Sequence, residues 1–200
     1  MNYLAHLFFA DDNTHSRIGN LLGDFCRGVD INQLHPDIQL GLRQHRAVDA
    51  FTDKSAEVLI AKGYFCAQRR RFAGIALDML FDHFLIRHWS RFHPLPFFDY
   101  KTQLYQRLQN DLPLMPASMQ PTVQSIIHRD WFLSYADINQ LSLALDRVAQ
   151  RIRFRNQFAG AGNDIQAHYL ELEQLFLQFF PQLQQYVSAQ NWRSLENAAR

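Results

Sequence analysis

The chain is poor in the residues that staple or break a fold. Its 200 residues include two cysteines, eight glycines and seven prolines. Cys26 and Cys66 lie far apart and form no Cys-x-x-Cys pair. A reduced, cytoplasmic chain is therefore the simpler expectation, and the thiolate pair of a structural zinc site is missing. Scarce glycine and proline favour long helices over turn-dense β structure. No apolar run reaches the length of a membrane span. The first ten residues are apolar, but they lack a basic leader, carry His6 and run into Asp11 and Asp12, which speaks against a signal peptide. Charge of one sign is also lacking: 20 Lys and Arg face 19 Asp and Glu, for a formal net charge of +1. Bulk electrostatics thus point to no nucleic acid or other polyanionic partner. No segment repeats, none reads as a low-complexity linker, and none alternates with period two for long enough to be a strand.

What the chain has is apolar material, at 48% of residues, with 17 phenylalanines. That is ample for the core of one domain spanning residues 1–200. Amphipathic spacing predicts an all-α multi-helix bundle. The expected helices cover residues 2–9, 17–27, a segment opening at Pro36, then 55–69, 71–91, 98–110, 118–128, 138–153 and 164–180. Thr52 and Asp53 read as a break and an N-cap, and Asp137 with Gln140 resembles a capping box. Gly160-Ala-Gly162 reads as a loop.

The polar residues inside apolar segments carry the functional signal, because burying a charge is costly unless it is paired or bound to a metal. Four clusters stand out: His6; Gly19-Asn-Leu-Leu-Gly-Asp24-Phe-Cys-Arg27-Gly28; His45-Arg46-Ala-Val-Asp49-Ala-Phe-Thr52-Asp53; and Asp78-Met-Leu-Phe-Asp82-His83-Phe-Leu-Ile-Arg87-His88. His45 and Asp49 are four apart, so they share a helix face, as do Asp78 with Asp82 and His83 with Arg87. Like charges at that spacing repel, so a cation should sit near Asp78 and Asp82. Two polar stripes on otherwise apolar helices can form a site between them. Mixed imidazole and carboxylate ligation suits manganese, iron or zinc better than calcium. Asp24, His45, Asp82 and His83 are the candidate metal ligands on this chemistry, with His6 as a fifth. Blander readings stand beside these. Asp49 can pair with His45 or Arg46 across a turn, Asp53 can cap, and His6 can be a core histidine. His88 and His93 read as surface or capping groups, His168 as structural, and His15, His35 and His128 stay unassigned. Arg69–Arg71 and Arg147–Arg155 are locally basic and could dock an acidic protein.

These four motifs, in this order, resemble the acyl carrier protein phosphodiesterase family, also called acyl carrier protein hydrolase. The resemblance covers nearly the whole chain. It implies removal of the 4′-phosphopantetheine arm from holo-acyl carrier protein, with that carrier as the protein substrate and no membrane partner. It also implies an all-helical fold similar to HD-type phosphohydrolases and a preference for Mn2+, with Mg2+, Fe2+ or Co2+ as alternatives. The usual His-Asp dipeptide of that superfamily is absent here; the nearest pair is the reversed Asp82-His83. The expected chemistry is attack on phosphorus by a metal-activated water. Arg46 or Arg27 would neutralise phosphoryl charge, and Asp49 or Asp78 would orient the water or act as base. The rival expectations are a helical phosphohydrolase acting on a nucleotide or other small phosphodiester, and a non-catalytic helical binding module.

Overall fold

The computed structural model describes residues 1–192, and among these no strand forms. The α-helices are α1 (Tyr3–Phe9), α2 (Thr14–Leu22), α3 (Pro36–Lys54), α4 (Ala56–Gly63), α5 (Ala73–Arg87), α6 (Phe97–Asp111), α7 (Gln120–His128), α8 (Trp131–Tyr135), α9 (Ile138–Arg151), α10 (Ala161–Ala167) and α11 (Tyr169–Ala189). The all-α expectation holds.

α5 is the centre of the bundle. It packs against α1, α4, α8, α9 and α11. Eleven of its side chains are buried, from Ala73 to Ile86, so it has no continuous solvent face. A helix that is apolar all round belongs inside a core. Phe81 and Phe84 meet α11 through Phe176 and Phe179, with ring centroids 5.4 to 5.7 Å apart and tilted planes. Such offset aromatic contacts add to the burial of area. This core explains how a phenylalanine-rich chain folds with so few turns.

α2 and α3 make the closest pairing. A Cβ on Gly19 would lie 2.3 Å from the Ile38 carbonyl oxygen, and one on Gly41 would lie 2.8 Å from that of Ser16. Only glycine allows the two backbones to meet there. The crossing sets the end of α2 beside the middle of α3, where His45 sits.

Several boundaries differ from expectation. Thr52 and Asp53 stay inside α3, so Asp53 does not cap the next helix; it pairs with Lys62 at 3.1 Å. The helix expected over 55–69 stops at Gly63, and the one expected over 71–91 is α5, from Ala73 to Arg87. The single helix expected over 164–180 is two helices meeting at His168, and α11 runs on through Pro181. Burial of Phe176, Phe179, Phe180 and Leu183 on both sides of that proline outweighs the lost backbone bond. Asp137 caps α9 as expected, accepting from the amides of Asn139 and Gln140 at 2.7 and 3.1 Å.

Candidate active site

α3 presents His45 and Asp49 one turn apart, and α1 lays His6 against them. The His6 and His45 rings stack with centroids 3.7 Å apart and planes 17° from parallel. Asp49 receives both: its Oδ1 lies 3.2 Å from His6 Nε2 and its Oδ2 lies 3.1 Å from His45 Nε2. The ligand atoms of the three residues all lie within 4.8 Å of one another.

Local structure prepares each member. His45 Nδ1 donates to the Asn20 carbonyl at 2.8 Å, which puts that ring's proton on Nδ1 and turns Nε2 toward Asp49. A backbone carbonyl behind an imidazole is the usual way a metal-binding histidine is held in one tautomer. The ring needs room, and Gly23 supplies it: a Cβ there would fall 1.9 Å from His45 Nε2. His6 is buried, and its Nδ1 has no hydrogen-bond partner among the described residues.

The charges follow from these contacts. Burial drives the His6 imidazole down to about 3, against the pull of Asp49, so it is neutral at ordinary pH. Burial also opposes charge on His45, but the hydrogen bond and charge of Asp49 outweigh it and raise its value. Burial of Asp49 is outweighed by His45, His6 and the Met1 ammonium, which hold its carboxyl well below the usual range. That ammonium lies 3.1 Å from Asp49 Oδ1 and 2.9 Å from Asp78 Oδ1. Burial opposes its charge, yet the two carboxylates raise it to about 10. The cluster thus attracts a positive charge, offers neutral and anionic donors, and leaves a buried imidazole nitrogen uncommitted. Those properties fit a divalent metal.

Met1 and Asp78 also border a cleft of about 450 Å³. Its walls come from α5 (Ile75, Asp78, Met79), the α7–α8 corner (Arg129, Trp131) and α9 (Gln140, Arg147, Val148, Arg151), with Tyr3 and Asp24 on the α1 side. Asp24 is exposed at this cleft, and the surrounding walls raise its carboxyl above the usual range while His45 pulls it down. The volume suits a small-molecule ligand.

The structure separates the other expected residues from this site. Asp82 and His83 do not join the cluster. Asp82 is fully buried and caps α1, accepting from the amides of Leu4 and Ala5, both at 3.0 Å. Burial pushes its carboxyl up to about 7, against those two amides. His83 donates from Nδ1 to the Tyr135 carbonyl at 2.7 Å, and its Nε2 accepts from the Tyr169 hydroxyl at 2.6 Å. Every polar atom of the pair is committed to a protein partner. Arg27 lies in a separate groove with Leu34 and Met115, and Arg46 is exposed outside the cleft. Arg87 and His88 both hold Glu173, at 2.6 and 2.8 Å, tying α5 to α11. The basic runs divide: Arg69 pairs with Asp164 at 2.7 Å, whereas Arg147 and Arg151 face the cleft. His15, His35 and Asp37 form a second donor group, but it is more open. His35 caps α3 there, ten residues and about 15 Å along the helix from His45.

The described residues thus form an all-α bundle with a histidine–aspartate cluster beside a small cleft. The family model for acyl carrier protein phosphodiesterase matches residues 1–183, and the chain belongs to that family. Relatives of that name include one from Yersinia enterocolitica, 40% identical over 90% of this chain and 94% of its own length. Another, from Serratia proteamaculans, is 37% identical over 92% of this chain and 96% of its own. One from Escherichia coli O157:H7 is 34% identical, covering 92% and 95%. No solved structure matches the chain.

Proposed function

We propose that the chain hydrolyses holo-acyl carrier protein to apo-carrier and 4′-phosphopantetheine at the His6–His45–Asp49 cluster. The observation that carries this reading is a group of imidazole and carboxylate donors within 4.8 Å of one another beside a cleft of ligand size, in a chain of this family. His6, His45 and Asp49 would hold a divalent ion, Mn2+ first, with Mg2+, Fe2+ or Co2+ as alternatives. Such an ion supplies an activated water and neutralises charge on the phosphoryl oxygens.

The chain's own groups do the rest. The Asn20 carbonyl keeps the His45 proton on Nδ1, so Nε2 stays available toward the cluster. Asp78 accepts the proton of the attacking water. The oxygen of that water bonds to phosphorus as the bond from phosphorus to the carrier serine oxygen breaks. The departing serine oxygen takes a proton from Asp24, which lines the cleft.

No described helix is long and apolar enough to cross a membrane. Holo-carrier as substrate places the reaction in the cytoplasm. The test is to strip the protein with a chelator, restore Mn2+, and follow holo-carrier by intact mass. Loss of the arm only after metal is restored is the expected result. Turnover unaffected by chelation would remove the metal from the reading. Cleavage of bis-p-nitrophenyl phosphate without cleavage of holo-carrier would favour a small phosphodiester substrate.

A further inference from the structure

Arg129, Arg147 and Arg151 converge on the cleft from two elements. Arg147 and Arg151 are one turn apart on α9, and Arg129 ends α7. Arg17, Arg69 and Arg87, by contrast, are committed to Asp111, Asp164 and Glu173. None of the three cleft arginines has a carboxylate within salt-bridge distance among the described residues. Three unpaired guanidiniums in one concavity repel one another and gain from an anion placed between them.

The corner that presents Arg129 is built rather than loose. Asp130 follows it in the left-handed region, at φ 44° and ψ 60°. Its carboxylate takes the Lys101 ammonium, the Tyr105 hydroxyl at 2.9 Å and the Leu133 amide at 3.2 Å. Lys101 is itself buried. A strained residue held by three partners fixes the direction in which the chain leaves α7. It thereby aims Arg129 and Trp131 at the cleft.

We infer that this arginine trio seats the phosphate of the substrate's phosphopantetheine arm, and that the apolar wall beside it takes the arm's alkyl portion. The inference rests on the reaction proposed above and adds the residues that recognise its substrate. Tyr3, Asp24, Asp78 and the three arginines line one cleft. The arm carries a single phosphate, so the group seated by the trio is the scissile one that Asp24 and Asp78 serve. Ile75, Met79, Trp131 and Val148 of the same cleft supply apolar contact for the alkyl portion. A cleft of 450 Å³ takes a small group, whereas docking a carrier surface needs about 800 Å² on each partner. A guanidinium grips phosphate through two parallel hydrogen bonds, which suits a phosphodiester better than an ammonium would.

The probe is free 4′-phosphopantetheine, with pantetheine lacking the phosphate as control. Calorimetric binding to the full chain needs no turnover. Arg147→Gln and Arg151→Gln should each weaken phosphopantetheine binding about tenfold, and pantetheine binding little. Arg129→Gln should act in the same direction. The three side chains are exposed, so thermal melting should match the unsubstituted protein. Equal phosphopantetheine affinity in all variants overturns the inference while holo-carrier turnover can still stand. A KM for holo-carrier that rises while phosphopantetheine affinity stays constant also overturns it, by assigning the arginines to the carrier's acidic surface. Phosphopantetheine binding that depends on the trio, in a protein that turns over no holo-carrier, supports the seat and removes the reaction.

Discussion

Two histidine–aspartate groups lie within one bundle and have opposite fates. Asp82 and His83 are buried in α5, and every polar atom they carry is used by the fold. His6, His45 and Asp49 are held just as firmly, yet His6 Nδ1 is left without a partner and Asp49 keeps a half-open side chain. Residue type and apolar surroundings are the same in both. What distinguishes a site from a support is whether the neighbours consume the donor and acceptor capacity.

The sharpest way to break this contrast is at the cluster itself. His45→Ala and Asp49→Asn should lower kcat by about a thousandfold and abolish metal uptake. Both proteins should stay folded, as checked by circular dichroism and metal analysis. Asp82→Ala should do the reverse. It strands the amides of Leu4 and Ala5 and should cost about 3 kcal/mol of stability in denaturant unfolding. If Asp82→Ala melted like the parent but lost its metal, the division drawn between the two groups would fail. His83→Phe should cost about 2 kcal/mol by the same measurement, since the Tyr169 hydroxyl and Tyr135 carbonyl lose their partner.

Acidity provides a milder probe. His6 has its value lowered from 6.5 to about 3 in the fold, so the unfolded chain binds the extra proton. Its contribution to stability is complete above pH 6.5 and is lost as pH falls from 6.5 toward 3, by at most about 1.4 kcal/mol per pH unit. Metal affinity should fall as the pH drops, because a proton competes first for His45, whose value is raised, and for His6 only near pH 3. Isothermal titration with Mn2+ at several pH values checks this. The smallest effects are expected outside both groups. Arg27→Gln and Arg46→Gln should leave kcat/KM within about twofold and stability within about 0.5 kcal/mol.

Much of the fold was legible because α3, α6 and α9 are long enough to show their period. α8 was not, since five residues between Trp131 and Tyr135 are too few for periodicity and their start is set by a left-handed aspartate. The pair His45 and Asp49 was readable from its spacing alone. Their union with His6 was not, because nothing local links α1 to α3. Asp82 and His83 are adjacent, and which way each turns was not legible: Asp82 meets the amides of α1, and His83 meets Tyr135 and Tyr169. The cleft arginines were visible only as a basic run, because their convergence with Arg129 depends on how α7, α8 and α9 meet.

Gly23 gives the molecule an unusual experimental handle. One methyl group there would push the His45 ring aside without deleting any ligand or touching the arginine-lined cleft. Gly23→Ala should therefore act as a substrate trap, retaining the cargo it can no longer cut. Immobilised on a resin, such a protein would sort carriers by the arm they bear.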